Sequence, residues 1–236
     1  MDWLLIGEEY GMILGWLDVF RESHLPGKVI VVLLAFVSVV GWSLLIGKAL
    51  QLKWKKEKND IFERRLHEME DVLSLQTEQP RVKSDYSRVF LAAVRAYHRY
   101  TVPDDYDEIV FRLAHVNTAI QRILNRVRIE YDSKMPWLAA IIGAAPFTGL
   151  LGTVWGVMDA FTGIAAEGSA SLQTLAPGVS GALLTTVVAL IVAIPSVFGY
   201  NLLIGKVNEL NSSLENFASS LADRIELEAR DRLPKR

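Results

Sequence analysis

Three stretches of this chain carry no charged side chain, and their lengths limit what it can fold into. Lys28 and Lys48 bracket the first, Val29 to Gly47; the second runs from Met135 to Met158 and the third from Gly168 to Gly205. At 1.5 Å of rise per residue, roughly 20 apolar residues cross the ~30 Å hydrocarbon core of a bilayer as a helix. A hydrophobic content of 51% would also suit soluble domains, but here the apolar residues are bunched, not spread with a surface-helix period. The sequence therefore predicts an all-α integral membrane protein with three transmembrane helices and long cytoplasmic helical extensions. The third run, at 38 residues, would extend about 57 Å, so Pro177 and Gly178 are assigned to its outer end.

Composition removes several functions. The chain has no cysteine, which excludes disulfides, thiolate metal sites and cysteine nucleophiles, and its net charge of −2 does not suit a nucleic-acid binder. His24, His67, His98 and His115 are scattered outside the uncharged runs, with no metal-ligand pair, nucleophile elbow or phosphate-binding loop. No enzyme activity, metal or cofactor is expected. The first twenty residues contain Asp2, Glu8, Glu9 and Asp18 but no Lys or Arg, the reverse of a cleaved secretion signal.

Residues 1–27 read as an amphipathic helix in the interface on the outer side, broken by Leu25-Pro26-Gly27. The first span is 28–52. Lys48, Lys53, Lys55, Lys56 and Lys58 follow closely, which by the positive-inside rule sets a cytoplasmic exit and a periplasmic N-terminus. Residues 53–134 form a charged cytoplasmic segment of amphipathic helices marked by Phe62, Leu66, Met69 and Leu73, then by Val89, Ala93 and Tyr97. Asp105 and Glu108 read as a capping pair opening a third helix, along which Ile109, Leu113, Val116, Ile120, Ile123 and Val127 form a stripe. That stripe leads through Tyr131 into the second span, 135–163, so one continuous helix is expected. A short outer loop at 164–175, the third span at 176–204 and a cytoplasmic C-terminal helix at 205–236 complete the order.

Within the second span Gly149, Gly152 and Gly156 share one helix face, and Thr153 puts a hydroxyl beside them. Two readings are open: a close-packing surface between helices, or a polar line along a conduit. Ser180, Thr185, Thr186 and Ser196 are the polar points of the third span; Pro146 and Pro195 are candidate kinks. Thr148 and Thr185 serve equally well as packing hydroxyls bonded to backbone carbonyls. Asp159, at the outer end of the second span, is either an ion-attracting residue at a mouth or a solvated charge at headgroup level.

Two long motifs carry a resemblance. The first is Ala145-Pro146 followed by Gly149-Leu150-Leu151-Gly152-Thr153-Val154-Trp155-Gly156. The second is Ala176-Pro177-Gly178, Ala182-Leu183-Leu184 with Thr186, Ala193-Ile194-Pro195 and Tyr200-Asn201. With the three-span layout, they resemble the MotA/TolQ/ExbB proton-channel family, more closely its TolQ and ExbB branch. The resemblance implies a pentameric ring in the bacterial inner membrane around, as expected, two copies of a single-span ExbD- or TolR-like partner that carries a membrane aspartate. It implies that proton flow through this ring, acting as a stator, drives mechanical work. It makes Thr153 and Thr186 pore-lining residues, with Thr185 and Ser180 as further candidates. Gly181 stands where TolQ and ExbB members have a glutamate, which leaves proton or sodium coupling open. The first and third runs hold no Asp, Glu, Lys, Arg or His, so a proton path would need the partner's carboxylate. The alternative is a non-conducting scaffold whose glycine seam only packs helices.

Overall fold

The computed structural model describes residues 16, 18–21, 23–69, 71–74, 82–99, 106–168 and 171–232, and of 106–108, 167 and 174 the backbone alone. Among the described residues, helical positions at 16 and 18–21 precede five bounded helices: α1 (Leu25–His67), α2 (Asp85–Tyr97), α3 (Tyr106–Asp132), α4 (Met135–Glu167) and α5 (Leu172–Asp231). Among the described residues there is no strand. The stretches Leu25–His67, Ile109–Ala166 and Leu175–Asp231 are each long and apolar enough to cross a membrane. Among the described residues the fold is all-α with three potential spans. Most of the interfacial helix expected over 1–27, and Asp105 of the expected capping pair, lie outside the described residues.

Local chemistry moves several expected boundaries. The break expected at Leu25-Pro26-Gly27 falls at Ser23-His24, and Leu25-Pro26-Gly27 opens α1. Proline is tolerated in a first turn, where its missing N–H would have had no partner. The helix expected to pass unbroken into the second span is divided instead. Lys134 adopts a left-handed conformation, φ 70°, and α4 starts afresh with Pro136 in its first turn. Continued helix would press the Pro136 ring against the Asp132 carbonyl and leave that carbonyl without its donor, so α3 ends there. The connection expected over 164–175 is shorter: α4 continues to Glu167, and Gly168, φ 69°, closes it by donating its N–H to the Ile164 carbonyl at 3.0 Å. Pro177 lies inside α5, where it deletes one helical bond without ending the helix.

The chain divides into two compact units, Met1–Ile46 with Lys134–Asn201, and Gly47–Ser133 with Leu202–Arg236. In the first, Ile30 and Leu34 of α1 form a core with Ala145 of α4 and Ala189 and Ala193 of α5. Gly41 faces Ile141, and Leu45 lies against Gly199. The outward side chains of this unit include Phe36, Val39, Phe147, Val154, Phe161 and Phe198, all exposed. Such an outer surface suits lipid better than water.

The second unit has a conventional apolar core. Phe62 meets Phe90 edge-on at 5.7 Å, and Tyr86 stacks on Phe217 at 4.0 Å. The α3 stripe buries Ile109, Val116, Ile120, Val127 and Tyr131, with Leu124 in place of the expected Ile123. On α5, Leu210, Leu214, Phe217, Leu221 and Ile225 are buried.

A polar knot ties three helices together inside this unit. Buried Asn59 of α1 accepts at Oδ1 from the Asp85 and Tyr86 amides, 3.0 and 3.3 Å, which satisfies the first turn of α2. The Tyr131 hydroxyl of α3 donates to Asp85 Oδ2 at 3.0 Å, and Lys55 meets the same oxygen at 2.9 Å. Arg88 grips Glu130 with two bonds, 2.8 and 2.9 Å, and that grip is the largest cause holding the Glu130 carboxyl below its ordinary range. A depressed pKa contributes stability above the ordinary glutamate range that is lost as pH falls through the folded value. Burial pushes the Tyr86 phenol up to about 12, and burial followed by the Asp85 charge raises Tyr131 further. Lys48, 1% exposed, donates to the Glu130 carbonyl at 3.4 Å in the last turn of α3, where a cation complements the helix dipole.

Asn59→Ala should leave the Asp85 and Tyr86 amides unsatisfied and destabilise the second unit by about 1–3 kcal/mol. A lowered thermal midpoint of the purified protein, followed by circular dichroism, would show it.

Candidate ion pathway in the α4–α5 hairpin

The site is built on a seam where side chains are nearly absent. Gly149 faces Ala189, Gly152 faces Thr185, Gly156 faces Ala182 and Ala160 faces Gly178; the two helices run antiparallel. A Cβ added to any of these four glycines would come within 3.0 Å of the facing side chain. Real Cβ atoms do not approach so closely, so the glycines let the helices touch backbone to backbone. The α5 half of this register, Gly178, Ala182, Thr185 and Ala189, likewise places small residues at steps of three and four. It could have been found by pairing the two runs in opposite directions, which the sequence reading did not do.

The close approach concentrates hydroxyls around one carbonyl. Thr185 Oγ1 lies 3.1 Å from the Gly149 carbonyl oxygen, and Thr186 and Thr153 Oγ1 each lie 3.2 Å from it. Thr153 and Thr186 also meet hydroxyl to hydroxyl at 3.0 Å, across the two helices. Each hydroxyl has one hydrogen, so these contacts are alternatives: Thr185 can instead donate to the Ala182 carbonyl at 2.7 Å and Thr153 to Leu150 at 3.0 Å. The result is a cluster of rotating O–H groups with more acceptors than hydrogens.

Among the other sequence candidates, Thr185 is 1% exposed and enclosed in the seam, whereas Thr153 and Thr186 are half-buried. Ser180 is exposed on α5 and Asp159 is half-buried on α4. Thr148 donates back to Ala144 at 2.9 Å. Helices α4 and α5 stay helical through Pro146 and Pro195, and the buried Ser196 hydroxyl donates to the Val192 carbonyl at 2.7 Å.

Gly181 has a neighbour that sequence spacing did not suggest. A Cβ there would stand 2.8 Å from Ser23 Cβ and 3.4 Å from Ser23 Cα. Ser23 is itself buried, its hydroxyl donating to the Phe20 carbonyl at 3.3 Å. Position 181 therefore has no room for a side chain while Ser23 keeps its place.

Together these observations define an all-helical membrane protein with three potential spans, two of them joined as a hairpin by a glycine seam carrying a threonine cluster. Residues 81–216 match the model of the MotA/TolQ/ExbB proton channel family. The chain is 27% identical over 225 residues to the Tol-Pal system protein TolQ of Haemophilus influenzae, covering 94% of this chain and 98% of that protein. It is 30% identical over 200 residues to the biopolymer transport protein ExbB of Neisseria meningitidis, covering 82% and 89%. With ExbB of Xanthomonas campestris pv. campestris it shares 35% identity over 159 residues, 65% and 62% of the two chains. The chain belongs to the MotA/TolQ/ExbB proton channel family, in its TolQ/ExbB branch. Proteins of this branch are channel and transduction subunits, and this one is not an enzyme.

Gly149→Ala should destabilise the hairpin by about 1–3 kcal/mol through overpacking. Gly143→Ala, with nothing within 4 Å of the added atom, should be neutral or stabilising. Melting temperatures of the two variants in one detergent give the comparison. Gly181→Glu should release Ser23, read as faster labelling of a cysteine placed at position 23 in the variant than in the parent.

Proposed function

We propose that this protein is the ring-forming channel subunit of an inner-membrane motor that turns the ion-motive force, carried by protons, into mechanical work. Five copies enclose two helices of a TolR- or ExbD-like partner, with the N-terminus periplasmic and the C-terminus cytoplasmic. Membership in the TolQ/ExbB branch supports the energy-transducing role, and the three long apolar helices support the membrane setting.

The observation that carries the pathway is the contact of Thr153 with Thr186, 3.0 Å, one hydroxyl from each span of the hairpin. These groups donate and accept but do not titrate near neutral pH, so the partner supplies the titrating carboxylate. An aspartate at the centre of a bilayer costs about 2.5–3.5 kcal/mol on insertion scales, a cost that a hydroxyl-lined interior offsets. Each proton crossing under 100 mV releases about 2.3 kcal/mol, enough to bias a conformational step. Ser180 extends the lining toward the outer end, while Thr185 couples it to the seam.

A scaffold without conduction draws support from the enclosure of Thr185 and the tightness of the glycine seam. The two readings separate on hydroxyl chemistry. Thr153→Val and Thr186→Val should each abolish proton uptake by proteoliposomes containing the subunit and its partner, with the assembled mass unchanged. Thr186→Ser should retain uptake. Undiminished uptake in both valine variants would leave the scaffold.

A further inference from the structure

We infer that the cavity at the start of α2 is a binding site for the phosphate of an acidic phospholipid headgroup. The cavity, about 380 Å³, is lined by Lys55, Lys58, Lys83, Arg88, Asp85 and Leu91 among others. Its four cations are not equivalent. Lys55 and Arg88 are balanced by Asp85 and Glu130, at 2.9 and 3.4 Å for the lysine and 3.0 and 2.8 Å for the arginine. Lys58 and Lys83 are exposed and form no ion pair among the described residues. Two positive charges thus face the same hollow without an ion-pair partner among the described residues. Like charges held together in this way favour an anion between them.

The backbone is not what would hold this anion. The Asp85 and Tyr86 amides are engaged by Asn59, and the Ser87 amide by the Ser84 hydroxyl at 3.0 Å. Binding falls to the side chains, with the Lys58 and Lys83 ammonium groups as principal donors and Arg88 and Lys55 as an already paired wall.

Position along α1 favours a lipid over a dissolved ion. Lys55 and Lys58 lie eight and eleven residues beyond Gly47, where the uncharged run ends, about 12 and 16 Å along the helix axis. Side chains on an α-helix lean toward its N-terminus, which on α1 is the end carrying the uncharged run. The ammonium groups therefore reach back toward headgroup depth, and the lysine stems with Leu91 offer an apolar flank that a hydrated phosphate would not use. This assignment is independent of whether ions cross the hairpin.

The test uses the full chain in a neutral detergent, titrated with short-chain phosphatidylglycerol, with short-chain phosphatidylcholine, and with inorganic phosphate. At about fivefold per lysine, the equivalent of roughly 1 kcal/mol each, Lys58→Gln with Lys83→Gln should weaken phosphatidylglycerol binding about 20-fold or more. The charge-matched pair Lys53→Gln with Lys206→Gln, outside the cavity, should weaken it less than about threefold. Lys58→Arg with Lys83→Arg should bind as the parent does, with an unchanged melting temperature. Equal losses in the two glutamine pairs, or equal affinity for both lipids, would overturn the site. Displacement of the lipid by millimolar inorganic phosphate would overturn its assignment to a headgroup.

Discussion

The contact on which this structure depends is that of two helix backbones with almost nothing between them. In water a glycine-rich helix pair would lose to burial of larger side chains. In lipid the solvent is as apolar as leucine, so association relies on close packing and on polar groups that find partners. The register from Gly149 opposite Ala189 to Ala160 opposite Gly178 meets both needs. It brings the helices near enough for threonines on one to reach a carbonyl on the other.

That carbonyl explains how packing and chemistry come to share residues. Gly149 lacks a side chain because Ala189 is opposite, and for the same reason its oxygen is open to hydroxyls arriving from α5. Thr185 is consumed by this arrangement, while Thr153 and Thr186 stand at its edge and keep spare acceptor capacity. The alternative readings of the seam, packing surface or polar line, therefore describe adjacent faces of one feature. A residue's exposure, more than its type, separates the two roles.

The membrane character was legible because bunched apolar residues are a property of composition over twenty positions. Helix faces in the charged segment were nearly as legible: Val89, Ala93, Leu214 and Phe217 stand at helical spacing and are buried. Boundaries were less so, since they turn on single backbone events such as the positive φ of Lys134 or the cap at Gly168. The pairing of Asn59, Asp85 and Tyr131 could not be read, because it joins three helices through residues that each look like ordinary surface polar groups. Ser23 was hidden for a similar reason: nothing in its neighbourhood marks it as the partner of a glycine more than 150 positions away.

Gly181 and Ser23 draw on a single small volume, and that makes them one inherited trait. Any side-chain atom added at 181 would have to displace Ser23 from its place against α5. The bareness of position 181 and the burial of Ser23 are thus two sides of one packing choice.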